Sequence, residues 1–178
     1  MTPKPPLSRP VSINDVPNRG SHIRFHAGPA ELEALAALLD VPKVERLEAR
    51  FDVKPWGRTG LIVTGEVEAD IFQICGVTLE PFPAHVHEQV ETRFDAPSEP
   101  ARDEVPGAEH EADLDAPDPL DNGTADLGAL AAEYVALGMD PYPRSPQAAE
   151  PEAPVEEQPT GTHRPFAGLD GLFAGKKG

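Results

Sequence analysis

Leu47, Ala49, Phe51 and Val53 alternate with Glu48, Arg50, Asp52 and Lys54, and beyond a turn around Pro55 to Gly60 the same period of two resumes at Leu61, Val63, Val67, Ala69 and Ile71. Successive side chains of a strand point to opposite faces, whereas a helix repeats on a longer period. The alternation therefore predicts a strand pair that is apolar on one side and polar on the other. A further strand follows Cys75, with Phe82, Ala84, Val86, Val90 and Phe94 on one side and His85, His87, Gln89, Glu91 and Arg93 on the other. Two shorter strands come first: Val11 and Ile13 against Ser12 and Asn14, then Ile23 and Phe25 against His22, Arg24 and His26.

One segment breaks this period. Pro29 opens PAELEALAALLD, in which Leu32, Leu35, Ala36 and Leu39 share a helical face, Glu31 and Glu33 lie near the positive end of the helix dipole, and Pro42 closes the run. A helix on the apolar face of such strands predicts an α+β fold, a small antiparallel β-sheet domain over residues 1–96 with one or two packed helices.

Beyond residue 96 the pattern fades. Pro97 to Asp126 carries ten acids and one arginine. So little apolar area cannot offset the entropy of ordering, and residues 97–125 read as an acidic, Pro-rich disordered linker. Leu127, Leu130, Ala131, Tyr134, Val135 and Leu137 then recur at helical spacing, with Asp126 placed to cap the start and Gly138 the end. A lone helix of this length is marginal in water. Two readings are open. It returns to the sheet, packing Leu127, Leu130, Tyr134 and Leu137, with Pro141 and Pro143 fixing an exit that presents Tyr142 and Arg144; or it folds onto a partner. Residues 126–146 form this unit, and 147–178 read as a mostly disordered tail in which Phe166, Leu169, Leu172 and Phe173 return.

Charge narrows the function. The net charge is −16, with ten Lys and Arg against fourteen Asp and Glu up to residue 96 and five against seventeen from residue 97. The mean field repels phosphate, so contact with RNA needs a local basic patch. The single Cys75 excludes an intrachain disulfide and fits a reducing compartment. The opening MTPKPPLSRP lacks the apolar run of a signal peptide and no stretch is long enough to span a membrane, so a cytoplasmic location without membrane association is expected. Nothing pairs a nucleophile with a base, cradles a phosphate or sets two carboxylates together. No catalytic residue, cofactor, metal or small-molecule substrate is expected.

Four groups of residues carry candidate chemistry. In KPWGRTG, Trp56 lies between Lys54 and Arg58, the composition that stacks on an unpaired base, or else caps the sheet edge. His22, Arg24 and His26 share a strand face that either receives phosphates or is simply wet. Cys75 is a small buried hydrophobe or a reactive thiol. His85 and His87 lie two apart on one face, and a metal-dependent enzyme would enlist them with Cys75, although no ligand quartet is complete.

GLIVTGEVEADIFQICGVTLEPF, an acidic spacer, DLGALAAEYVALGMDPYPRSP and a final RPFAGLDGL together resemble the YceD family in its alphaproteobacterial form, with DPYPR after an apolar helix as the most specific element. The resemblance implies a soluble, non-enzymatic factor tied to accumulation of 23S ribosomal RNA through assembly of the large ribosomal subunit. The implied partner is that RNA or a ribosomal protein. Many relatives carry Cys-x-x-Cys where this chain has Cys75, Gly76, Val77 and Thr78, so a two-cysteine site is incomplete here. On this reading Arg24, Arg50, Trp56, Arg58, Tyr142 and Arg144 make the contact with RNA or partner. The alternative is an acidic adaptor or holdase for a basic ribosomal protein that does not touch RNA.

Overall fold

In a computed structural model the residues described are 5–96 and 116–148. Most of the expected linker and nearly all of the expected tail lie outside them. The element order is β1 (Pro10–Ser12), β2 (Ser21–His26), α1 (Pro29–Leu38), β3 (Lys43–Trp56), β4 (Gly60–Ile74), β5 (Pro81–Asp95), β6 (Asp118–Pro119), β7 (Thr124–Asp126) and α2 (Leu127–Gly138). Strands β2-β3-β4-β5-β6 form one sheet, antiparallel except for the short β5–β6 pair, and β1 pairs with β7 in a second, two-stranded sheet. The α+β class holds, and the long alternating strands run as their pattern requires.

The inner face of the sheet supplies Phe25, Leu47, Ala49, Phe51, Val53, Val63, Val67, Ala69, Val86 and Val90 to the core. Leu35 of α1 is fully buried, and α1 packs against β3. Leu127, Leu130, Ala131 and Val135 bury α2 on β4 and β5, so this helix returns to its own sheet. Tyr134 is partly buried, and its hydroxyl is hydrogen-bonded to that of Thr92 on β5 at 3.0 Å.

Three expectations need correcting. Leu137 is 71% exposed and does not pack on the sheet. It lies two turns beyond Leu130, in the last turn of α2. Ile13 is not in a strand: β1 stops at Ser12, whose Oγ accepts the N–H of Asn14 at 3.3 Å and turns Ile13–Asp15 into a single 3-10 turn. Composition also extends the linker too far, because residues 118–126 contain β6 and β7.

One side chain ties the N-terminal segment to the start of α2. Asp126 caps α2 through the N–H groups of Gly128 (2.9 Å) and Ala129 (3.2 Å), and its carboxylate also accepts from Ser8 Oγ and Arg9 N, both at 2.7 Å. Leu127 N donates to Arg9 O at 3.0 Å, and a Cβ on Gly128 would come within 2.8 Å of the Leu7 backbone, so only glycine lets the two segments close. Arg9 then forks onto Glu31 of α1 at 2.8 and 3.0 Å. Burial raises the Asp126 pKa, but the Ser8 hydroxyl and the three N–H donors outweigh it and hold the carboxyl below its ordinary range.

Asp126→Ala should lower the unfolding free energy by about 2 kcal/mol at pH 7, since it removes a cap and strands buried donors. Because the folded pKa is depressed, this contribution is present above the ordinary value of about 3.9 and fades as pH falls below it. Urea denaturation of both proteins at pH 7, 5 and 3.5 measures it; a difference that grew towards acid would contradict the assignment.

Candidate nucleic-acid interface

With both helices on the inner face, the outer face of β2–β5 lies open. Its side chains fall in rows set by the register. Arg24 of β2 stands opposite Arg50 of β3, Arg50 opposite Glu66 of β4, and Glu66 opposite Gln89 of β5. The next row is His26, Glu48, Glu68 and His87, and beyond it Asp70 lies between Arg46 and His85. Two arginines directly opposite repel, and Glu48 resolves this by accepting from Arg24 Nε at 2.8 Å and Arg50 Nε at 3.1 Å.

The row chemistry closes on itself. Arg50 Nη1 donates to Glu66 at 2.7 Å, Arg46 Nε to Asp70 at 2.7 Å, and His85 Nδ1 meets Asp70 at 2.7 Å. His22 pairs with Asp52. Desolvation pushes Glu48 up, yet hydrogen bonds from Arg24 and Arg50 hold its carboxyl below the usual range; Arg50 does the same to Glu66, and Arg46 to Asp70. Exposed pairs of this kind add little stability. What they settle is charge. Arg24, on the strand face expected to receive phosphates or stay wet, and Arg50, expected to contact RNA or a partner, both donate to carboxylates here.

The β3–β4 hairpin end differs. Lys54 stands opposite Ile62, and Ile62 opposite Arg93, so both cations share the outer face there. The Trp56 ring lies against Gly60, where a Cβ would come within 2.9 Å of Cε3, and the Arg93 guanidinium sits 6.0 Å from the ring centroid. Arg58 is exposed at the tip, and Arg19 lies beside Gly20, across which the Lys54 stem runs. Among the described residues, Arg19, Lys54 and Arg58 have no carboxylate within salt-bridge distance, and Arg93 reaches Glu91 only at 3.9 Å. Asp95 nearby is engaged by the Thr59 hydroxyl at 2.7 Å. A cleft of about 710 Å³ opens beside the tip, lined among others by Asn14, Asn18, Arg58, Thr59 and Asn122.

The sequence candidates are therefore not one site. Trp56 and Arg58 come together at the hairpin end. Arg24 and Arg50 lie mid-sheet in ion pairs, and the exposed Tyr142 and Arg144 lie by the β4–β5 turn at the other end. The 15 residues of β4 separate the two ends by roughly 45 Å. Arg93 and Arg19 were missed because each lies 37 residues from Trp56 in the chain; pairing across β4 brings Arg93 to the ring, and Gly20 packs beside Lys54.

Cys75, His85 and His87 do not converge. Cys75 is fully buried past the end of β4, while the histidines project from the outer face five and more residues back along the ladder. Glu66, Glu68 and His87 lie within 4.8 Å of one another. The cations already holding these carboxylates are Arg46 and Arg50, which a metal would have to displace. Among the described residues, no helix is long and apolar enough to cross a membrane.

The sequence profile of the YceD family, described as "Large ribosomal RNA subunit accumulation protein YceD", matches residues 63–173. No curated protein and no solved structure matches the chain. The matched span runs from β4 through α2 and holds Arg93, Tyr142 and Arg144, whereas Arg24, Arg50, Trp56 and Arg58 precede it.

Cys75 has a structural task that can be tested. Its Sγ accepts from Thr78 N at 3.5 Å and Ser145 N at 3.3 Å. Hydrogen bonds from Thr78 and Ser145 draw its pKa down to about 6 against the opposing effect of burial. A depressed thiol stabilises the fold increasingly as pH rises from about 6 towards its ordinary value of about 8.5. The gap in melting temperature between the wild type and Cys75→Ala should accordingly widen from pH 6 to pH 8.5; a constant or narrowing gap in thermal scans would assign Cys75 to packing alone.

Proposed function

The chain belongs to the YceD family, and on that premise we propose that it is a non-enzymatic factor that supports accumulation of 23S ribosomal RNA by gripping unpaired precursor RNA at the β3–β4 hairpin end. The observation that carries this reading is the contrast between cations. Those in mid-sheet are paired with carboxylates, while at the hairpin end Arg93 lies over Trp56 and, among the described residues, Arg19, Lys54 and Arg58 have no carboxylate within salt-bridge distance.

A half-buried aromatic ring beside cations suits a base stacked on the accessible part of Trp56 with its phosphates on Lys54 and Arg58. The cleft beside Arg58 adds Asn14, Asn18 and Asn122, whose amides offer both donors and acceptors to a base edge. A strongly acidic chain keeps RNA off the rest of its surface, which confines contact to this end. The cytoplasm, where the precursor is assembled, is the proposed location.

Trp56 is the single tryptophan, so its fluorescence reports binding directly. Titration with single-stranded 23S fragments should quench it. Arg58→Ala should weaken binding about tenfold, as loss of a phosphate and stacking partner does, and Arg50→Ala should change it less than about twofold. Equal losses for the two variants would refute the hairpin as the contact. In cells, loss of the gene should deplete 23S RNA and large subunits on a sucrose gradient; normal profiles would refute the function itself.

A further inference from the structure

The other end of the sheet is built differently. Between Ile74 and Pro81 the chain turns through Leu79, whose φ of 58° is left-handed. That conformation costs an L residue roughly 1–2 kcal/mol, and glycine or asparagine takes it far more readily. Burial does not offset the strain, because Leu79 is 75% exposed, with Val77 at 45% and Ile74 at 42% beside it.

The segment after α2 is strapped onto this turn. Gly76 N donates to Pro143 O at 2.8 Å, Ser145 N to Cys75 Sγ at 3.3 Å, and the buried Gln73 donates its Nε2 hydrogen to Asp140 O at 2.9 Å. Asp140 Oδ1 in turn accepts from Tyr142 N at 2.8 Å. Held this way between Pro141 and Pro143, Tyr142 stands 83% exposed. Tertiary hydrogen bonds and a strained turn thus fix four large apolar side chains in water on two segments that are about 60 residues apart in the chain.

We propose that the β4–β5 turn and the Tyr142 strap together form a docking surface for a basic protein, one that presents aliphatic side chains among lysines and arginines. Charge selects the partner class. Glu80 and Asp140 border the apolar group, Arg144 is the cation beside it, and the span from residue 97 onwards carries seventeen acids against five bases. Phosphates would be repelled here, whereas a cationic protein surface is drawn in. With the backbone at Leu79 and Tyr142 fixed by the turn and the strap, these side chains are presented at set positions, which lowers the entropy lost on association. The matched family span encloses this surface entirely. The inference rests on the family reading for its setting, where the basic proteins are those of the large ribosomal subunit, and not on the RNA contact at the hairpin.

The experiment titrates the full-length chain with individually purified proteins of the large subunit at about 150 mM salt, where long-range charge attraction is screened. At least one strongly basic member should bind, Leu79→Asn and Tyr142→Ser should each weaken it about tenfold or more, and Trp56→Ala should leave it unchanged. Because asparagine tolerates a positive φ, Leu79→Asn should melt no lower than wild type, so its lost binding is not lost folding. Absence of any binding, or binding indifferent to both substitutions, overturns the proposal. A benzophenone side chain placed at position 142 of the full chain identifies the occupant: crosslinks to a basic ribosomal protein support the proposal, and crosslinks to RNA or to residues 149–178 overturn it. Protein binding that persists where RNA fails to quench Trp56 would retire the RNA contact and leave this surface standing.

Discussion

A single carboxylate joins the ends of this fold. Asp126 starts α2 by receiving two of its free N–H groups, and receives Ser8 and Arg9 from 118 and 117 residues earlier in the chain. The helix end, the start of the β1–β7 pair and the Arg9 segment that reaches α1 all meet at this carboxylate. The inner face of the sheet is closed by α1 and by α2, whose start Asp126 caps, and the outer face is left open to partners.

On the outer face, pairing decides what is left to react. Alternating rows of arginine and carboxylate cancel across the middle strands, and their geometry follows from the register rather than from any one strong bond. Charge that is not cancelled appears only where the rows run out. One end keeps cations around an aromatic ring, and the other keeps apolar side chains bordered by acids. A stiff sheet roughly 45 Å long therefore presents two chemically unlike ends at a fixed separation.

Much of this was legible from residues 43 to 95, because a period of two persists through three strands and Leu47, Ala49, Phe51, Val53, Val63, Val67, Ala69, Val86 and Val90 all fall inside. Asp126 as a cap and Pro29 as a helix start were legible for equally local reasons. What stayed hidden depends on neighbours distant in the chain. DPLDNG carries no apolar period, and β6 is held as a strand only because β5 already lies beside it. Arg24 and Arg50 stand directly opposite each other, and that Glu48 of the next row accepts from both is visible only in the structure. Trp56 and Arg58 were visible as a motif, but Arg93 joins them only through pairing across β4.

The 118-residue separation between Ser8 and Asp126 also fixes an order of events. Local hairpins form quickly, whereas contacts distant in sequence must wait for a long loop to close. At synthesis rates of about 5–20 residues per second, the segment around Ser8 exists for roughly 6 to 24 s before its partner has been made. The three long strands are complete by Asp95, so for the last few seconds of that interval a finished sheet exposes Val86 and Val90 with no helix over them. A nascent chain in that state exposes the kind of apolar surface that favours aggregation, and its N-terminal segment, made long before α2, is among the last to be fixed in place.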